Sequence, residues 1–221
     1  MAAFDLEEQE QISELRAWWQ QYGKLVVTVT VAAVVTVVGF NFWQSYQRRQ
    51  AGEASAVFAA LQKAAAERDA KKAREAAGEL LGKYGGTAYA AMGALVSARI
   101  QYESGDLQTA KAQLQWVVNE AKDAELRDMA RLRLAGVLLD EKAHDEALKL
   151  LGEEPMAAFA PRYAELRGDV FMAQGKPAEA RQAYQDALAK LDAAEKEAGR
   201  GQSGSALREV LQTKLDAVGG R

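Results

Sequence analysis

A run of 23 residues without a charged side chain, from Leu25 to Gln47, constrains this chain more than any other feature. As a helix it would rise about 34 Å, which exceeds the hydrocarbon core of a bilayer at about 30 Å. Strands are shorter than this, and a core helix seldom stays apolar on every face over such a length. The run therefore predicts a transmembrane helix over its most apolar part, residues 25–43.

Both ends of the run carry the residue types that prefer the membrane–water interface. Aromatic rings and cations gather there, with Trp18, Trp19, Tyr22 and Lys24 before the run and Trp43, Tyr46, Arg48 and Arg49 after it. Such belts are typical of spanning helices. A cleavable signal peptide has a basic leader and a shorter apolar stretch, whereas this leader is acidic. We therefore expect an uncleaved signal anchor and a membrane-bound protein.

The charge of the chain is segregated. There are 28 Lys and Arg residues and 31 Asp and Glu residues, which gives a net charge of −3. Residues 1–24 hold five of the acids and two of the bases, so the remainder is balanced. This balance gives no electrostatic reason to bind nucleic acid. Two cations precede the span and three follow it within about 20 residues. This difference is too small to decide which side of the membrane the larger part of the chain occupies.

The residue types that catalysis and metal binding need are scarce. The chain has no cysteine and one histidine, His144, so disulfides, cysteine nucleophiles and histidine-rich metal sites are excluded. We interpret His144 as a solvated histidine in a turn. No glycine-rich phosphate-binding pattern is present. The sequence predicts no enzyme, no cofactor and no metal.

The region after the span is rich in alanine and repeats itself. Ala73, Ala110, Ala147 and Ala180 follow one another at 37, 37 and 33 residues, close to the 34-residue tetratricopeptide period. Small residues also fall at the middle of the preceding helices, at Ala98, Ala135 and Gly168. Together they allow two helices to approach closely.

The predicted fold is therefore all-α, with a single N-terminal transmembrane helix followed by a tetratricopeptide-like helical-repeat array. We expect an acidic N-terminal arm over 1–24, about four helix pairs over 51–198, and a flexible linker with a C-terminal capping helix over 199–221. An irregular helical bundle is the alternative, because alanine-rich helices also mimic repeats.

In stacked helix pairs, the first helix of each pair lines a groove. The repeat alignment predicts that the partner groove is lined by Met92, Leu95, Arg99, Tyr102, Met129, Leu132, Leu139, Arg162, Glu165, Asp169 and Met172. Methionine adapts to varied apolar surfaces, although it also fills gaps in cores.

Several segments resemble one known family. They are EEQEQISELRAWWQQYGK from Glu7, WQSYQ from Trp43, LRLAGVLLDEKAHDEALKLL from Leu132 and LRGDVFMAQGKPAEARQAY from Leu166. In this order they resemble the YfgM-type ancillary subunits of the bacterial Sec translocon. The resemblance implies a single-pass inner-membrane protein with a cytoplasmic N-terminus and a periplasmic domain. It also implies SecYEG and the periplasmic chaperone PpiD as partners, with unfolded secretory chains as further ligands.

Two other functions stay open. The repeat array could be a cytoplasm-facing scaffold, or a regulatory subunit that binds a soluble regulator.

Overall fold

The structure is a computed structural model that describes residues 2–197 and 205–219. Within these residues all regular secondary structure is helical, as the sequence predicts. The helices are α1 (Ala2–Ala66), α2 (Ala70–Tyr84), α3 (Ala88–Glu103), α4 (Leu107–Glu120), α5 (Ala124–Asp140), α6 (His144–Leu151), α7 (Ala160–Ala173), α8 (Pro177–Glu197) and α9 (Ser205–Gly219). The chain divides into two units, one up to Gln50 and one from Ala51 onward.

The first unit is the larger part of α1. Its most apolar window has a mean hydropathy of 2.3, and none of that window is buried. Valine and threonine favour strands in water, but in lipid an unpaired backbone amide is so costly that the helix is preferred. The hydroxyls of Thr28 and Thr36 donate to the carbonyls of Lys24 and Ala32, each at 2.8 Å. Within the described residues, α1 alone is long and apolar enough to cross a membrane.

Helix α1 has no break at the boundaries predicted from the sequence. It begins at Ala2 and runs through the acidic segment, the apolar segment and on to Ala66. Its last part is the first helix of the repeat array, where Ala54, Phe58 and Leu61 are buried. Continuity follows from composition, because the first 66 residues contain no proline.

The second unit consists of four helix pairs and a final helix. The end of α1 pairs with α2, through a core that joins Leu61 to Leu80, and α3–α4, α5–α6 and α7–α8 are the other pairs. Each second helix packs on the first helix of the next pair, while α3 contacts α5 and α5 contacts α7. This is the stacking expected of a tetratricopeptide-like array.

The same turn joins the two helices of every pair. Arg68, Gly105, Lys142 and Gly175 all have a positive φ, from 55° to 87°, and they repeat at the spacing of the marker alanines. In each turn the following amide donates to a carbonyl five residues earlier, as in the bond from the Asp106 amide to the Gln101 carbonyl at 2.8 Å. These are Schellman turns, which satisfy the last carbonyls of the first helix.

The marker residues are buried where the helices of a pair approach each other. Ala73, Ala110, Ala147 and Ala180 have no exposed surface. At Gly168, an added Cβ would lie 2.3 Å from Cε1 of Tyr184. The predicted small positions therefore mark real close approaches.

The third pair is irregular. Helix α6 has eight residues and ends at Leu151, so an extended loop leads to α7. Buried Asp128 of α5 holds this loop: its Oδ2 accepts from the Met156 amide at 2.8 Å. Its Oδ1 pairs with Arg131 at 3.1 Å, and the Tyr163 hydroxyl donates to its carbonyl at 3.0 Å.

The C-terminal capping helix that the sequence predicts within residues 199–221 is α9. It packs on α8 and buries Leu211 and Val218 in a core that includes Tyr184 and Leu191. The predicted flexible linker lies almost wholly outside the described residues.

Candidate partner-binding face

The predicted groove residues fall on the first helices of three consecutive pairs, and their exposure differs. Exposed members are Met92, Arg99, Tyr102 and Arg162; partly buried members are Met129, Leu132, Leu139, Asp169 and Met172; buried members are Leu95 and Glu165. On α3 and α5 these positions are three, four or seven residues apart, so they share one face of each helix.

Leu95 is a correction to the predicted groove. It is only 4% exposed and belongs to the main hydrophobic core with Leu114 and Leu134. The reason is that this position of α3 faces the core that α3 shares with α4 and α5. Leu95 therefore stabilises the array and offers no surface to a partner.

Two hydrogen bonds connect α3 and α5 on the predicted side. The Arg133 Nη1 donates to the Leu95 carbonyl at 3.3 Å, and the Tyr102 hydroxyl donates to Asp140 Oδ2 at 2.5 Å. The bond to Asp140 raises the pKa of Tyr102, because it stabilises the neutral phenol. The two connections are seven residues apart on each helix, which is two turns.

We call this surface the α3–α5 face. It consists of Met92, Arg99, Tyr102, Met129, Leu132, Arg133, Gly136 and Leu139. Arg133 and Gly136 were not among the predicted residues. The repeat alignment could have found Gly136, since it falls at the position of Arg99 one unit later, whereas Arg133 lies one residue beyond the position expected to point into the groove.

The acidic end of the predicted groove on α7 is occupied by the chain itself. Lys214 of α9 donates to Glu165 Oε1 at 2.8 Å and to Asp169 Oδ1 at 2.7 Å. The Tyr184 hydroxyl also donates to Asp169 at 2.8 Å. Glu165 is buried, so the expectation that it lines an open groove is wrong, while Asp169 is partly buried. The C-terminal helix supplies the cation that pairs with both carboxylates.

The groups around Lys214 favour its protonated form. Burial of the ammonium opposes its charge, but the hydrogen bonds to Asp169 and Glu165 outweigh this effect and raise the pKa of Lys214. Arg162 adds a second cation, with Nη1 at 2.9 Å from Glu165 Oε2, which is the neighbour pair that the sequence indicates. Sequence reasoning missed Lys214, because no local pattern links α9 to α7.

The predicted membrane-interface residues are all exposed on α1. They are Trp18, Trp19, Tyr22, Lys24, Trp43, Tyr46, Arg48 and Arg49. The rings of Trp18 and Tyr22 lie 5.8 Å apart. Tyr22 and Trp43 are separated along the helix by about 32 Å, a distance that matches the bilayer core.

No group of three or more metal-ligating side chains occurs within the described residues. His144 is the first residue of α6, half-buried, in the turn where the sequence places it. Neither observation defines a reactive centre.

The sequence matches known proteins over nearly the whole chain. The family model for the tetratricopeptide repeat-like domain matches residues 16–220. The ancillary SecYEG translocon subunit of Neisseria gonorrhoeae is 31% identical over 217 residues, which covers 98% of this chain and 99% of the relative. The chain belongs to the family of ancillary SecYEG translocon subunits.

Other relatives of this family carry the same name. The ancillary SecYEG translocon subunit of Haemophilus influenzae is 29% identical over 186 residues, or 84% of this chain and 90% of the relative. That of Escherichia coli is 27% identical over 209 residues, or 95% of each chain. No solved structure matches the chain. The matched residues cover the apolar helix as well as the helical array.

Proposed function

We propose that this chain is a non-enzymatic ancillary subunit of the Sec translocon in the inner membrane. Its N-terminus lies in the cytoplasm and its helical array in the periplasm, where the array contacts the chaperone PpiD and helps to pass on secreted chains. The observation that carries the proposal is the 31% identity to a named translocon subunit over 98% of the chain. It spans the membrane helix as well as the array.

The two units suit two separate contacts. The apolar part of α1 is exposed all round, so it can lie against the membrane helices of another protein. The array offers the α3–α5 face outside the membrane. Two linked contacts raise the effective concentration of each site, so both can be weak while the assembly persists.

The topology is tested by single cysteines, because the chain has none of its own. Gln20 precedes the apolar segment and Gln182 lies on α8; both are exposed. We expect a membrane-impermeant maleimide to label Gln182→Cys in intact cells, and to label Gln20→Cys only after the inner membrane is broken. The reverse pattern would overturn the periplasmic assignment and favour a cytoplasm-facing scaffold or regulatory subunit.

The translocon contact is tested by replacing residues 25–43 with a leucine–alanine helix of equal length. This variant still spans the membrane, so a loss of SecYEG on affinity purification would assign the contact to the native span. Retention of SecYEG would move the contact to the array.

The chaperone contact is tested with a photo-crosslinking amino acid at Met92, on the α3–α5 face, and at Arg181 on α8 as the matched control. Both residues are exposed. We expect PpiD to be captured from position 92 and not from position 181. Equal capture from both positions, or capture from neither, would contradict a specific contact at this face.

A further inference from the structure

We propose that the α3–α5 face binds a protein segment that presents a carboxylate between apolar side chains, and that Arg133 receives this carboxylate. The inference rests on the proposed function, since it specifies what a partner of the array must carry. Four observations on this face support it.

The first observation is the state of Arg133. Its only hydrogen bond within the described residues is the one to the Leu95 carbonyl, at 3.3 Å, and it takes part in none of the ion pairs there. Arg131, two residues earlier on α5, has buried Asp128 as its partner at 3.1 Å. Arg131 is thus paired with a carboxylate of the chain, whereas Arg133 has no carboxylate partner within the described residues.

The second observation is the electrostatic cost of this arrangement. Arg133 as a residue is exposed, yet protein atoms crowd its guanidinium, and this desolvation, together with the charge of Arg99, lowers its pKa. An arginine stays protonated regardless. An opposite charge brought to this position would therefore relieve an unfavourable environment.

The third observation is the space beside the guanidinium. Two hydrogen bonds connect the helices of the face, one from Arg133 to Leu95 and one from Tyr102 to Asp140. Along their helices, Arg99 and Gly136 lie about midway between these two bonds. A Cβ built at Gly136 meets no atom within 4 Å. A partner side chain can therefore approach the backbone of α5 directly next to Arg133.

The fourth observation is the apolar surround. Met92 is 37% exposed, and Met129 and Leu132 are partly exposed on the neighbouring helix. These side chains would contact the residues on either side of the carboxylate. Arg99 on this face pairs with Glu103 at 2.8 Å, and Asp140 accepts a hydrogen bond from the neutral Tyr102 hydroxyl.

A carboxylate fits this position better than other groups. The guanidinium fork matches its two oxygens, and such charge-assisted bonds are stronger than neutral ones. Apolar neighbours exclude water from the pair and so strengthen it. The partner is thus a segment with an aspartate or glutamate flanked by apolar residues.

The experiment uses the full chain in lipid nanodiscs and a display library of random 12-residue linear peptides. We expect the enriched peptides to share an acidic residue with apolar residues within four positions. The most enriched peptide, made synthetically, should bind roughly 10- to 100-fold more weakly to Arg133→Gln, as expected for loss of a hydrogen bond to a charged group. Its own Glu→Gln version should lose a similar factor on the unchanged protein.

Two further variants separate a direct contact from a general disturbance. Arg181→Gln removes an exposed arginine from α8 and should bind the peptide unchanged. Gly136→Leu adds a side chain where there is space and introduces a better helix former, so it should block binding with no loss of thermal stability.

Enriched peptides without an acidic residue would overturn the inference. So would equal affinity for the unchanged protein and Arg133→Gln, or no enrichment above that obtained on Gly136→Leu. The proposed function is assessed independently by cysteine labelling and SecYEG purification, so that either can fail while the other stands.

Discussion

At the scale of single residues, the four turns of the array share one backbone conformation but have different residues at the position that adopts it. The residue that reverses the chain adopts a left-handed backbone in every pair, with φ values of 55° at Arg68, 87° at Gly105, 62° at Lys142 and 72° at Gly175. Glycine accepts this conformation freely, whereas a residue with a Cβ is strained there. Arg68 and Lys142 are therefore positions where the turn is retained at some loss of stability.

We predict that Lys142→Gly stabilises the array by about 1 kcal/mol, because glycine removes the strain of the left-handed conformation. For a unit of this size this corresponds to a rise of roughly 2–4 °C in the unfolding midpoint. Circular dichroism of the full chain in detergent would measure it. Lys142→Ala is the matched control: it removes the same side chain but keeps the Cβ, and an equal gain from it would contradict the explanation.

The opposite effect is expected at Gly168. Its Cα faces the ring of Tyr184, and an added methyl group would lie 2.3 Å from Cε1. We predict that Gly168→Ala destabilises the array by about 1–3 kcal/mol, the usual cost of overpacking a close contact. Denaturant unfolding would measure the loss.

Gly136→Ala is the control for this effect, since it makes the same substitution in a helix where the added methyl group meets no atom. It should be neutral or stabilising, because alanine is the better helix former. A similar loss at both glycines would mean that the contact with Tyr184 is not the cause.

At the scale of elements, the loop between α6 and α7 depends on one carboxylate. Asp128 accepts from the Met156 amide and from Arg131, and Tyr163 donates to its backbone. We predict that Asp128→Asn lowers stability by about 1–3 kcal/mol, since an amide cannot satisfy the same donors in a buried site.

Hydrogen exchange locates this effect. Amides of residues 152–159 should exchange faster in Asp128→Asn, while those of α3 and α4 keep their protection. Uniform acceleration over the whole array would indicate global destabilisation instead of release of the loop.

The sequence predicts the elements better than the contacts between them. Alanine periodicity is a local signal, and it predicts the helix pairs, because burial of small residues at each crossing repeats with the helices. The contact of Lys214 with Glu165 joins residues 49 positions apart. No periodicity encodes such a pair, so the predicted groove included two carboxylates that the chain itself covers.

The burial of Leu95 also depends on contacts that the repeat pattern does not encode. The repeat alignment assigns it the same position as Leu132, which is partly exposed, yet Leu95 is buried. Which of two equivalent leucines is covered depends on how the neighbouring helices pack in the assembled core. The exposure of individual groove residues therefore required the structure.

At the scale of the whole molecule, the buried polar groups predict how stability responds to pH. Burial raises the pKa of Tyr163 and Tyr184, with Asp128 and Asp169 adding to it; hydrogen bonding raises that of Lys214 despite burial. All three groups hold their protons more tightly when folded. Their contribution is present below about pH 10 and is lost as the pH rises above it.

We therefore predict that the unfolding midpoint of the full chain falls steeply above about pH 10. Tyr184→Phe should show a shallower fall, because one of these groups no longer titrates. Ultraviolet absorbance should detect tyrosines that ionise only at higher pH than the others. A midpoint that stays constant through this range would contradict the assignment.

The contact of Lys214 with Glu165 and Asp169 also affects the order in which the array folds during synthesis. Helix α9 follows α7 and α8 in the chain, so it is synthesised after them. Until α9 emerges, Glu165 and Asp169 lack the lysine that pairs with both of them. Synthesis of α9 is thus coupled to closure of the fourth helix pair, and a chain interrupted before α9 would leave two carboxylates without Lys214 and the Tyr184 side of α8 uncovered.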